Sequence, residues 1–465
     1  MSLTQRAWNA VPESIRNDDT RMIVALLVSL SVLYALIGAA QAVLANAAVV
    51  NAAAQTVQSV IFLSGVYAIL ALALNLHWGY TGLFNIGVAG FMAVGVYTMS
   101  ILAGDPNGLP PGLGLPVPVA IVGGVVMAAI VGGIAALPAL QLDADYFAIV
   151  TVGFSEIIRL TLTADTFSGT VTDPSSGSYN VVNIFGLSFG TGGGRGITTA
   201  LNSPLNFLFE GPLSFIGETL IAVGGAIGIS GPVVQAMTYT AFILVVVLTG
   251  YYALVSRIGN SPFGRVLKAI REDELVAQSL GKDTRIFKIK VFMVGSAMMG
   301  LAGILWQGTR GYVNPNTFKP LITFYVFTAL IVGGSGSNTG SVVGGAVFAS
   351  LLLQGPRRLA GLINALAQFI TGGSLPAPSN FWVALTSLDP AAYLGYAIAN
   401  MPNLRFIFLG VVLVYLIQNR SQGLLGHRKE IASSIDLSKR TDGEETDTFG
   451  GRPATDGGNG GETDE

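Results

Sequence analysis

Ten apolar stretches, near residues 22–44, 55–77, 83–103, 116–140, 145–163, 236–256, 288–308, 321–334, 341–354 and 404–418, constrain this chain more than any other feature. Each is long enough, or nearly so, to cross or re-enter about 30 Å of hydrocarbon, which takes about 20 helical residues. Charged residues make up only 11% of the sequence, against about 25% in soluble domains. The expected fold is therefore all-α: a polytopic transmembrane helical bundle of about ten spans in a lipid bilayer, some of them broken or re-entrant.

The pair 321–334 and 341–354 is short on both sides of Gly333-Gly334-Ser335-Gly336-Ser337-Asn338-Thr339-Gly340. That pattern predicts a tight hairpin or broken helices, tolerable where protein or a water-filled cavity covers the backbone. Orientation follows from the basic residues. Arg257, Arg265, Lys268, Arg271, Lys282, Arg285, Lys288 and Lys290 crowd one short hydrophilic loop, 257–290, which belongs in the cytoplasm by the positive-inside rule. Counting outward from it places both termini in the cytoplasm and segments 165–235 and 355–403 outside. Arg357 and Arg358 are the one misfit, since this scheme puts them on the outer side. Residues 1–21 read as a cytoplasmic N-terminal segment and 22–426 as the transmembrane domain. Residues 427–465 carry ten acidic and five basic side chains and read as a disordered tail. Within the outer segments, 213–233 and 359–370 have the composition of further helices.

Several function classes drop out. The chain has no cysteine and a net charge of −2, and its two histidines, His77 and His427, are far apart. No disulfide, thiolate site, metal site or nucleic-acid partner is expected. No Gly-x-x-x-x-Gly-Lys-[Ser/Thr] phosphate loop occurs, so the chain holds no nucleotide cradle; no cofactor and no enzymatic activity are expected.

Other residues admit chemistry. The run from Gly264 to Gly281 predicts one helix as far as Leu280, with Gly281 as its stop. Glu274, Ala277 and Gly281 then share a small-residue face suited to sliding under a partner, unless the helix only sets topology. Glu156 and Arg159 fall at i, i+3 in an apolar span, which suits either a structural ion pair or a path for a zwitterionic solute. Gly79, Gly82, Gly87, Gly90 and Gly95 predict a small-faced or interrupted third span. Asp143 and Asp145 sit where they would cap the next helix. His77-Trp78 reads as an interfacial anchor.

Five segments together resemble one known family. They are Gly264-Arg265 through Ala269-Ile270-Arg271-Glu272 to Glu274, Ala277 and Gly281; Gly79-Tyr80-Thr81-Gly82-Leu83-Phe84-Asn85-Ile86-Gly87 with Phe91 and Gly95-Val96-Tyr97; Leu140-Gln141-Leu142 through Tyr146-Phe147 to Glu156 and Arg159; Val332-Gly333-Gly334-Ser335-Gly336 with Gly340; and Gln422-Gly423-Leu424-Leu425-Gly426. The chain thus resembles the LivM branch of the LivH/LivM permeases of ABC importers. Asn85 stands where that family usually has Ser, and Ser421 where it has Pro. Regions 200–233 and 359–400 have no clear counterpart.

The resemblance implies a multi-pass cell-membrane permease for branched-chain amino acids. Its partners would be two cytoplasmic ATP-binding subunits, a LivH-like second permease and an extracytoplasmic substrate-binding protein. Gly264, Arg265, Arg271, Glu272, Glu274, Ala277 and Gly281 would couple it to an ATPase. Asn85, Gly87, Phe91, Glu156, Arg159, Gly333 and Gly334 would belong to the translocation path. Permeases for urea or short amides share nearly the same motifs. An ion-driven secondary transporter and a channel are rival classes. The former needs an intramembrane acid, for which only Glu156 serves, and the latter a carbonyl ring, which 333–340 would have to supply.

Overall fold

Each apolar stretch lies wholly or mostly on helix in the computed structural model, which describes residues 19–139, 144–169, 171–173, 178–179, 182–184, 187–199, 209, 214–373, 375–419 and 422–425. The helices are α1 (Asp19–Leu44), α2 (Val49–Leu74), α3 (Val88–Ala103), α4 (Val117–Ala139), α5 (Ala144–Thr163), α6 (Ser214–Ala226) and α7 (Gly231–Asn260). They continue as α8 (Pro262–Glu272), α9 (Glu274–Ser279), α10 (Thr284–Gln307), α11 (Pro320–Gly333), α12 (Asn338–Thr371), α13 (Phe381–Thr386), α14 (Pro390–Asn400) and α15 (Arg405–Asn419). Three antiparallel strand pairs are the only sheet among the described residues. One of them joins Ile197–Thr198 to Tyr312–Val313 near the end of α10.

Six helices are long and apolar enough to span a bilayer, and counting each bent pair as one span raises this to eight. The difference from ten apolar stretches has a local cause. The stretch 83–103 yields only the 16-residue α3, about 24 Å long. The stretches 321–334 and 341–354 become two arms, α11 and α12, bent by 120° at the glycine cluster. The broken pair expected there is present. The further helices expected from composition also form: 213–233 contains α6, and 359–370 lies on the last part of α12.

Burial separates centre from rim. Inside α2 and α10, 72% and 67% of the most apolar window is buried, against 22% in each of α1, α5 and α7. Central helices can be apolar all round because protein surrounds them, whereas rim helices leave their apolar side to lipid. Small residues allow the central contacts. A Cβ on Gly95 would come within 2.6 Å of Gly300 Cα, one on Gly303 within 2.8 Å of Met92 Cα, and one on Gly345 within 2.6 Å of Ala68 Cα. Such close backbone approach is what holds helices together where lipid removes most of the hydrophobic drive.

Buried tyrosines lock the packing. Tyr251 and Tyr239 donate to the Met298 and Leu305 carbonyls of α10 at 2.7 and 2.8 Å. Tyr34 donates to Ser350 O at 2.5 Å, within the π-turn Phe348–Gln354 of α12. A π-turn shifts the backbone hydrogen-bond register, and here a tyrosine hydroxyl meets a carbonyl inside it.

Asp143 and the Asp145 side chain, expected to cap the next helix, lie outside the described residues. Ser421 and the 427–465 tail also lie outside.

Candidate functional site

The basic loop folds as two short helices, not one. Ser261 caps α8, accepting from Gly264 N at 3.2 Å, and Pro262 occupies its first turn, where a missing N–H costs nothing. The expected continuous helix breaks at Asp273, which is extended (φ −158°, ψ 111°) and caps α9. Its carboxylate accepts from Leu275 N at 2.9 Å and Val276 N at 3.1 Å. Aspartate side chains compete for backbone amides in this way, so the residue that seemed mid-helix starts a new one. Gly281 ends the unit with φ +76°, a left-handed conformation that glycine adopts without steric cost.

One face of this unit grips the bundle. Gly264, Leu267, Lys268 and Ile270 are buried, and the Lys268 ammonium lies 5.5 Å from the Tyr80 ring centroid. Arg271 donates to the Gly79 carbonyl at 2.5 Å and pairs with Glu272 at 2.6 Å. Glu274 pairs with Lys288 at 2.5 Å, and Ala277 is already covered by this chain. Of the Glu274, Ala277, Gly281 face expected to meet a partner, Ala277 is covered and Glu274 is paired, whereas Gly281 is exposed with open space around it. Three apolar side chains of this unit are exposed as well: Leu275 is 74% exposed, Val276 55% and Leu280 72%. Arg265, on α8, is also exposed.

Gly79 leads inward. It closes the π-turn Asn75–Gly79 at the end of α2. Asn75 Oδ1 accepts from Gly336 N at 2.8 Å, and Asn75 Nδ2 donates to Asn338 Oδ1 at 3.1 Å. Asn338 in turn donates to Ser256 Oγ of α7 at 3.2 Å. The elbow between α11 and α12 is thus tied to α2, and α2 to α8. Gly334 takes φ +110° at the elbow. Gly333 is packed so closely on Gly340 and Gly344 that a Cβ would overlap backbone. The last carbonyls of α11, at Val332 and Gly333, accept from Leu424 N and Leu425 N at 2.9 and 3.0 Å. Helix-end carbonyls need partners wherever water is excluded.

His77 is a correction to the interfacial reading. It is fully buried and stacked on Phe292 at 4.6 Å and 4°. Its Nε2 lies 3.2 Å from the Phe292 carbonyl, which can only accept, so that nitrogen carries the proton. Nδ1 then accepts from Asn85 Nδ2 at 3.1 Å, while Asn85 Oδ1 accepts from Gly87 N at 2.8 Å. A Cβ on Gly295 would overlap the imidazole. Asn85, Gly87 and Phe91 sit together within the protein, Phe91 packing edge-on to Phe292 at 5.6 Å. The third span is interrupted as expected, by the turn 82–87 before α3. Trp78 packs on Phe84 and Phe327, both at 5.4 Å.

Glu156 and Arg159 form a two-contact ion pair, at 2.9 and 2.5 Å. Arg159 also donates to Asn316 Oδ1 at 2.8 Å, tying α5 to the turn Pro315–Phe318 that precedes α11. Among the described residues no group of three or more His, Cys, Asp or Glu can hold a metal ion.

These features define a polytopic helical membrane protein with a two-helix surface element fixed to its central helix. Residues 56–415 match the family described as branched-chain amino acid transport system / permease component, and the chain belongs to that family. It is 30% identical over 313 residues to the high-affinity branched-chain amino acid transport system permease protein LivM of Escherichia coli K12, covering 67% of this chain and 65% of the relative. It is 26% identical over 318 residues to the probable LivM of Methanocaldococcus jannaschii, covering 60% of this chain and 75% of that one. Escherichia coli LivH is 34% identical over 110 residues, 24% of this chain and 35% of its own. The chain thus spans slightly less than two thirds of the enterobacterial LivM proteins. No solved structure matches it.

Proposed function

We propose that this chain is the membrane-spanning permease subunit of an ABC importer for branched-chain amino acids, with residues 22–426 as its permease domain. In this reading α8 and α9 dock on one of two cytoplasmic ATP-binding subunits. A LivH-like homologue completes the pore, and a substrate-binding protein delivers solute from outside.

The observation that carries the reading is the pairing of an exposed apolar surface, Leu275, Val276 and Leu280, with a rigid inward link from Arg271 to Gly79. The first suits burial against a partner and the second transmits its movement to α2 and the elbow. Orientation rests on the basic loop. Residues 19 and 422–425 lie at the same end of the bundle. The Tyr252 hydroxyl meets Asp19 at 3.2 Å and Thr339 at 3.0 Å, and Leu424 and Leu425 bind the end of α11. Alternating access then requires only that the ATPases favour one arrangement of these helices over the other.

The test is co-purification of the chain with a P-loop ATPase from the native membrane. Leu275→Asp with Leu280→Asp should abolish it while leaving the inserted chain intact. Retention of the ATPase by that variant, or solute uptake that persists after ATP depletion with ion gradients intact, would refute the assignment.

A further inference from the structure

The end of the bundle opposite α8 and α9 holds a feature that docking does not use. The span Thr284–Arg310 runs from the docking end for 27 residues, about 40 Å, and its far end forms one wall of a cavity of about 440 Å3. α2, α11, α12 and α15 supply the other walls.

Three guanidinium groups line this cavity, Arg310, Arg357 and Arg405. No carboxylate lies among its described lining residues. Neighbouring Arg358 donates to the lining Ser59. Arg357 and Arg358 are the residues that violate the charge rule for an outer segment, and in three dimensions they belong to this cationic site. Arg310 lies 5.9 Å from the Trp306 ring centroid and Arg405 4.9 Å from that of Phe406. The aromatic faces hold the cations without neutralising them.

Four polar atoms on the walls are buried and lack a hydrogen-bond partner: Trp306 Nε1, Arg405 Nε, Gln354 Oε1 and the Tyr325 hydroxyl. Two are donors, one is an acceptor, and the hydroxyl can act as either. Buried polar groups are nearly always satisfied in folded proteins, so these identify atoms awaiting a ligand. Phe62, Leu63, Ile322 and Leu353 complete the lining with apolar surface.

We propose that this cavity binds a free α-amino acid with an apolar side chain. The carboxylate meets Arg310, Arg405 and the Trp306 N–H, the ammonium donates to Gln354 Oε1, and the side chain packs on Phe62, Leu63, Ile322 and Leu353. A carboxylate and a guanidinium match in geometry as well as charge, and the volume is within the usual range for small-ligand sites. The assignment of this end as the outer, entry side rests on the importer reading; the binding chemistry does not.

The test is equilibrium binding of radiolabelled leucine to the full-length chain in lipid nanodiscs. Leucine should bind, and Arg310→Gln and Arg405→Gln should each weaken binding at least tenfold. Arg405→Lys should stay within a few-fold of the parent, which separates lost charge from lost fold. Leucinamide, which lacks the carboxylate, should fail to compete, and 4-methylpentanoate, which lacks the ammonium, should compete weakly. Equal competition by leucinamide, or no leucine binding by a chain that still captures its ATPase, overturns the proposal while leaving the importer reading standing. Competition by inorganic phosphate or phosphatidylglycerol as strong as by leucine also overturns it, making the site one for phosphate or lipid headgroups. Leucine binding without ATPase capture would uphold this site and remove the importer reading instead.

Discussion

The Arg271 guanidinium donates to the Gly79 carbonyl at 2.5 Å, joining α8 to the end of α2, the most deeply buried of the six long spans. A charge-assisted bond of this kind contributes about 1.5–3 kcal/mol. It is made at the last residue of the π-turn Asn75–Gly79. Arg271→Ala should therefore retain ATPase capture through Leu275 and Leu280 but lower ATP-driven uptake by roughly an order of magnitude. Uptake measured in proteoliposomes against ATP hydrolysis checks this; unchanged coupling would show that force takes another route.

Asp273 is expected to act locally. Asp273→Ala removes a cap worth about 1 kcal/mol and frees the amides of Leu275 and Val276. Hydrogen exchange at residues 274–280 should speed up about fivefold, with exchange in α8 unchanged. If α8 and α9 loosen together, they are one unit and the break is not a joint.

Glu156→Gln should cost more than Glu156→Gln combined with Arg159→Gln, because the single change leaves a guanidinium with only Asn316 beside it. Glu156 is 36% exposed on its side chain and Arg159 13%, so solvent screening limits the coupling to about 1 kcal/mol or less. A double-mutant cycle on thermal unfolding measures it. A double variant no better than the single would mean that the two residues act independently.

Asn85→Ala should lower the unfolding temperature by several degrees. It strands His77 Nδ1 and Gly87 N in the interior, and each buried orphan costs about 1–3 kcal/mol. Asn85→Ser should recover part of the loss, since a hydroxyl can still accept from Gly87 N. Thermal scans of the three proteins in one detergent decide it; equal stability of Ala and Ser variants would count against the His77 network.

The sequence made the spans legible because lipid allows few alternatives: an apolar stretch of about 20 residues has to become helix. The glycine elbow was legible for a similar reason, since two short apolar arms around Gly333 and Gly334 have no other way to meet. The joint at Asp273 was hidden, because the charged run around it favours helix in every composition-based sense and only the side-chain cap breaks it. His77 was misread since its partners, Asn85 and the Phe292 carbonyl, come from separate elements. The grouping of Arg357 and Arg358 was invisible in one dimension: Arg357 lines a cavity that α2, α10, α11 and α15 build with it, and Arg358 bonds to Ser59 on its wall.

The contact of Leu424 and Leu425 with the end of α11 has a consequence for biosynthesis. Residues 320–371 leave the ribosome well before residues 422–425 exist. Until then the Val332 and Gly333 carbonyls lack the amides that finally cover them. The bent pair therefore reaches its finished form only after α15 has been inserted. A nascent chain halted at residue 419 should contain every helix described and still have an unlatched elbow, detectable as raised protease sensitivity between Gly333 and Asn338.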